Sequence, residues 1–258
     1  MESDEDKKFA FLKKFNLVMF VFHISQVFLI LRLSNDFTLP VTYLKPVYDT
    51  ATMTISPVSE TLFEIKIAPL IALFLLISAA AHVFISTIFY EKYVKNLKKG
   101  INVYRWYEYS ISASLMIVII AMLTTIYDFG TLLALFTLTA VMNLMGLMME
   151  LYNQYTEKTN WTAYIIGCIA GFVPWVVIFI SLLGGISSAG DTVPDFVIWI
   201  FVSIAVFFNL FAINMFLQYK KIGKWKDYIY GEKVYIILSL VAKSALAWQV
   251  FAGTLAPV

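Results

Sequence analysis

The chain has 258 residues, 60% hydrophobic and 14% charged, with a formal net charge of +2. Its mean hydropathy is +0.80 and its pI about 8.4. These values argue against a water-soluble enzyme, a disordered chain and a nucleic-acid-binding surface, and point to an integral membrane protein in contact with a lipid bilayer. The one cysteine, Cys168, allows no disulfide, CxxC redox pair or thiolate metal site within a single chain.

Seven apolar stretches are each long enough to cross roughly 30 Å of hydrocarbon as a helix. The first runs over about 15–34 and carries Asn16, His23 and Gln26 on one face. Its acidic MESDEDKK start and the lack of a small-residue cleavage site argue against a secretory signal. The loop that follows, 35–66, is the only long one. In it Thr, Val, Tyr and Ile alternate with polar residues between prolines, which predicts a two-stranded hairpin outside the membrane. An exposed hairpin edge is able to pair with a second copy, so a homodimer contact is expected here.

The second span, 67–90, carries His82 and, one turn before it on the same face, Ser78. The third, 102–127, carries Glu108, the only acid well inside it, with Ser112 one turn further on. The fourth, 131–155, has Glu150 near its end, read as an interfacial carboxylate. The fifth and sixth, 161–185 and 196–218, are almost free of charge. Asp128, Asp191 and Asp195 fall in loops and read as solvated. The seventh span, 232–256, has Lys243 near its middle and Ser239 four residues earlier on the same face. The remaining loops are too short to hold a soluble catalytic domain, and no HExxH, GxSxG or phosphate-loop motif occurs, so no enzyme activity is expected.

Fifteen of the nineteen Lys and Arg residues fall on the N-terminal side of these spans, Arg105 among them. Only Arg32, Lys45 and Lys66 fall on the other. The positive-inside rule then places the N-terminus in the cytoplasm and, after seven crossings, the C-terminus outside.

An ionisable group inside a span is costly and is a functional hypothesis by default. An ammonium at the depth of Lys243 needs an anionic partner, and Glu108 is the natural one. A structural ion pair is the plain reading. The chemical one is a Schiff-base lysine carrying an aldehyde cofactor, with Glu108 as counterion and Ser112 and Ser239 as hydrogen-bonding neighbours. Depth counting puts His23, His82 and Glu108 each roughly 12 Å from the same membrane face. Three titratable groups at one level suggest a buried polar cavity that accepts a proton.

The segments RWYEYSISASLMIVIIAML and LVAKSALAWQVFAGTLAP resemble heliorhodopsin, and the likeness extends over the whole chain. It implies one seven-helix rhodopsin-like domain over 1–258 with inverted topology. It also implies a light sensor with all-trans retinal bound to Lys243 as a Schiff base and Glu108 as counterion. Retinal would isomerise to 13-cis in a slow photocycle. By the same likeness, His23, His82, Ser78, Asn16 and Gln26 match a cytoplasmic-side polar cavity that takes the Schiff-base proton, with Trp248 beside it. The family's long first loop joins a dimer interface, and some members are proposed to act on soluble cytoplasmic proteins. The retinal pocket is expected to be aromatic and sulfur-rich, with Tyr109, Met142, Gly146, Trp175 and Phe207 as candidates.

Ion-pumping microbial rhodopsins carry a second carboxylate eleven residues after the first on the third helix, and usually another acid four residues before the lysine. Here those positions hold Ile119 and Ser239. A vectorial proton relay lacks a member, which favours a sensor over the alternative, a light-gated proton channel or transporter. The basic segment YKKIGKWKDYIYGEK reads both as a positive-inside anchor and as a surface for a cytoplasmic partner.

Overall fold

In a computed structural model, residues 4–189 and 195–257 are described. Asp191 lies outside them. The described residues form a predominantly helical protein. Its helices are α1 (Asp4–Leu33), α2 (Ile67–Ser86), α3 (Tyr90–Leu97), α4 (Val103–Leu123), α5 (Phe129–Tyr152), α6 (Thr162–Ala189), α7 (Asp195–Tyr219) and α8 (Tyr228–Val250). All but α3 are long and apolar enough to cross a membrane.

Two elements differ from the sequence expectation. Helix α1 begins at Asp4, about three turns before the apolar stretch, because the charged segment DEDKKFAFLKK satisfies its backbone within the helix as well in water as in lipid. The second span stops at Ser86, and the next residues form the short amphipathic α3. There Tyr93 and Leu97 point inward, one turn apart. Asn102, Asp128 and Asp227 start α4, α5 and α8, each accepting a hydrogen bond from a first-turn backbone N–H. Asp128 is therefore a half-buried cap bonded to both the N–H and the hydroxyl of Thr131, a correction to its reading as a solvated loop acid.

The first long loop is a two-stranded antiparallel hairpin, β1 (Thr38–Asp49) and β2 (Thr54–Lys66). Pro46 and Pro57 face each other across it. A register shift at Val41/Thr42 frees the Thr42 N–H to donate to the Tyr127 carbonyl at 2.8 Å, which ties the hairpin to the α4–α5 turn. Salt bridges Lys45–Glu60 (3.1 Å) and Lys66–Asp36 (2.5 Å) flank the strands.

The interior is divided by depth. Toward the hairpin end, Ile67, Ile71, Phe74, Leu75, Ile117, Ile120, Leu246 and Val250 belong to a large aliphatic core. At the opposite, lysine-rich end, smaller clusters surround polar groups, one with Leu12, Tyr93 and Ile236, another with Trp106, Tyr109, Met149 and Tyr235. Leu76, Ile169, Phe172, Trp199 and Val206 point outward, where lipid rather than water is their natural solvent.

Candidate functional site

Lys243 and Glu108 sit between these two zones. Both are at least nine-tenths buried. The Lys243 Nζ donates to Glu108 Oε1 at 2.7 Å and to Ser239 Oγ at 3.0 Å. The Ser78 hydroxyl donates to the same Glu108 oxygen at 2.6 Å. The ammonium also lies 5.0 Å from the centre of the Tyr109 ring, within cation–π range. The bonded groups come from α2 (Ser78), α4 (Glu108) and α8 (Lys243 and Ser239), so the pair pins three elements together. Isolated, either ion would carry a large desolvation penalty at this depth; together, with two hydroxyls, they are matched in charge and hydrogen bonding.

On one side of Lys243 lies a narrow apolar cavity of about 40 Å³, lined among others by Tyr109, Met116, Met142, Asn143, Phe208 and Phe211. A second cavity of about 80 Å³ shares Tyr109, Met142, Asn143, Phe208 and Phe211 with it and adds Trp106, Gly146, Gly167 and Cys168. The glycines make room: a Cβ on Gly146 would stand 2.3 Å from the Trp106 ring, and one on Gly171 would stand 2.2 Å from the Met142 sulfur. Of the sequence candidates for the pocket, Tyr109, Met142 and Gly146 line these cavities. Trp175 and Phe207 do not; both pack against the large aliphatic core, Trp175 edge-on to Phe208. Met116, Phe208 and Phe211 were not foreseen.

On the other side lies a small polar cavity of about 30 Å³, lined by Asn16, His82, Asn102, Arg105, Glu108, Glu232 and Ser239 among others. The His82 Nδ1 and Asn16 Oδ1 are hydrogen-bonded at 2.7 Å, and the His23 ring stacks on that of His82 at 5.5 Å. Ser112 is fully buried one turn from Glu108. Gln26 and Trp248 form a separate pair, the indole N–H donating to the amide oxygen at 3.1 Å.

At the far end of the polar cavity stands a second charged cluster that sequence reading missed. Arg105 is buried between two carboxylates, Glu150 (2.5 Å) and Glu232. Its guanidinium also lies against the Tyr235 and Trp106 rings. Glu150 accepts further hydrogen bonds from the Asn102 N–H, the Trp106 indole and the Tyr228 hydroxyl. Glu232 accepts from the Asn102 amide and the Tyr93 hydroxyl. This corrects two expectations. Glu150 is 1% exposed rather than interfacial, and Arg105 is a buried ion rather than a loop charge. Their opposite charges near one end of neighbouring spans were the available signal.

Seven membrane-length helices closed around a buried lysine–carboxylate pair define a rhodopsin-like, multi-pass membrane protein. The family model for heliorhodopsin matches residues 12–255, and the chain belongs to that family. It is thereby a membrane photoreceptor of the retinal type. No similar sequence was found among curated proteins.

Proposed function

We propose that the protein senses light through all-trans retinal bound at Lys243, with Glu108 as counterion, and signals without pumping ions. The observation that carries this is the 2.7 Å contact of two buried, oppositely charged groups at the end of an apolar cavity. The residues suit a polyene aldehyde: an amine at one end, and aromatic and sulfur-bearing side chains with closely packed glycines along the rest. Retinal, when bound, supplies the visible absorption and the all-trans to 13-cis isomerisation.

The chain's own groups do the remainder. Glu108, oriented by Ser78, stabilises a positive charge at the Lys243 nitrogen, and Ser239 orients that nitrogen from the same helix. A proton leaving it has Glu108 within hydrogen-bond reach, and His82, Asn16 and His23 around the polar cavity beyond. On the hairpin side the neighbours include Ile117, Ile120, Leu246 and Val250 and the Gln26–Trp248 pair, none of which titrates. Buried acids and histidines thus lead away from the pair in one direction only, which supports a sensor over a light-gated proton channel.

In this reading one seven-helix domain lies in the cell membrane with the N-terminus and the lysine-rich end in the cytoplasm, as the basic residues favour. That face meets a soluble protein partner. The outward side chains of Leu44, Val47, Tyr48, Ile55 and Val58 on the hairpin are covered in a homodimer.

Incubating expressed protein with all-trans retinal tests the core of the proposal. A visible band is expected in the native chain and none in Lys243→Ala; a native chain without a band overturns it. Sustained light-driven current in voltage-clamped cells would replace the sensor with the channel.

A further inference from the structure

At the lysine-rich end, the loops joining α3–α4, α5–α6 and α7–α8 form a polar cleft of about 380 Å³. Lys99 comes from the first of these loops, Lys221 and Lys226 from the last. Among the described residues none of the three takes part in an ion pair, and Glu157 is the single carboxylate in the lining. Two positive charges are left over, the charge that a phosphate monoester dianion balances. The volume falls in the range of small-molecule sites.

The walls are built independently of any ligand. Asn153 donates to the Met149 and Asn160 carbonyls while its own oxygen accepts from Thr156 and the Asn160 N–H. The Trp225 indole donates to Asn214 at 2.6 Å, and the Gln218 amide donates to the Tyr228 carbonyl. Three lysines on a hydrogen-bonded frame beside aromatic rings form a pocket, whereas a membrane anchor needs only charges spread over a surface. The Tyr228 hydroxyl, at the inner edge, donates to Glu150 at 3.0 Å, so the cleft abuts the buried arginine cluster.

We propose that this cleft binds a phosphate-bearing anion. Its use in signalling rests on the reading that this end is the cytoplasmic face; the binding itself does not. The same chemistry is carried by a soluble nucleotide and by a phospholipid headgroup.

The test uses the full chain without retinal in phosphatidylcholine nanodiscs, titrated calorimetrically with ATP and with inorganic pyrophosphate. Saturable binding is expected, weakened at least about tenfold in the combined Lys99→Gln, Lys221→Gln, Lys226→Gln variant. It should be unchanged in Lys92→Gln, on the outer surface of α3, and retained when the three lysines are replaced by arginine. Absence of saturable binding, or equal affinity in the triple glutamine variant, overturns the proposal. Repeating the titration with phosphatidylglycerol in the discs separates the sources: binding that persists assigns a soluble ligand, and binding that the lipid displaces assigns a headgroup phosphate. Because no chromophore is present, failure here is distinct from failure of the photoreceptor reading.

Discussion

Two buried charge clusters stand at opposite ends of one polar cavity, and they are built differently. The Lys243–Glu108 pair is one cation and one anion, and its ammonium is held by two hydrogen bonds. The Arg105 cluster sets one cation against two carboxylates and binds them with an amide, an indole, two phenols and a backbone N–H. Lysine is a compact amine on a flexible stem, suited to covalent chemistry, while a guanidinium is a planar, permanently charged fork suited to bidentate structure. The first site is held by fewer bonds and borders an apolar cavity. The second joins α4, α5 and α8 and has little freedom to rearrange without breaking several bonds at once.

Removing each cation sharpens that contrast. In Arg105→Gln two carboxylates face each other with no counter-charge, and a loss of about 3–5 kcal/mol of stability is expected, read as a lower unfolding temperature of the chromophore-free protein in detergent. In Lys243→Met a single carboxyl remains, still bonded by Ser78, and one proton neutralises it. Its loss of stability should be clearly smaller. Equal losses would show that the two sites are structural alike. Glu108→Gln probes the same pair spectroscopically. With the anion 2.7 Å from the lysine nitrogen gone, the band of the retinal-loaded protein should move strongly to the red, whereas Glu150→Gln should leave it nearly in place.

The sequence made the first cluster legible and hid the second, for one physical reason. A charge is conspicuous where hydrocarbon surrounds it on both sides along the chain, as for Lys243 in LVAKSALA, because nothing but function or pairing offsets its burial. Arg105 and Glu232 lie within the first turn or so of their helices and Glu150 near the end of its own, where charges ordinarily reach water. Only the way the loops fold over them makes them interior. The seven spans and the hairpin follow from apolar length and alternation. Helix α3 lies almost wholly beyond the second span, in what the sequence reads as a loop, although Tyr90, Tyr93, Val94 and Leu97 keep helical spacing. The pocket register on α7 was missed for a different reason. The helix is apolar all round, so nothing in the pattern separates Phe207 from Phe208, although one residue turns a side chain by about 100°.

Gly146 links the two clusters and allows a smaller test. Trp106 packs closely on it while donating its indole N–H to Glu150. Gly146→Ala inserts a methyl 2.3 Å from that ring, so the ring must shift. About 1–3 kcal/mol of destabilisation is expected from overpacking, with a change in the retinal band, since Trp106 and Gly146 line the same cavity. An unchanged unfolding temperature would mean that the indole moves freely and that the cluster tolerates its loss.

The smallest effect is expected outside the membrane, where a charge pair has water on every side. Glu60 accepts a hydrogen bond from Lys45, and that contact and the lysine's charge hold its carboxyl below the usual carboxylate range. The sign follows from the direction of the shift. The pair supports the hairpin above the ordinary carboxylate pKa and loses that support as pH falls through the lowered one. Exposed pairs contribute little and are screened by salt. Amide exchange in Thr42–Leu44 and Val58–Thr61 should therefore quicken only slightly on acidification, and the change should vanish in Glu60→Gln or at high salt. A large acid-induced loosening that survives Glu60→Gln would place the hairpin's pH sensitivity at another carboxylate, with Asp36 beside Lys66 the next to substitute.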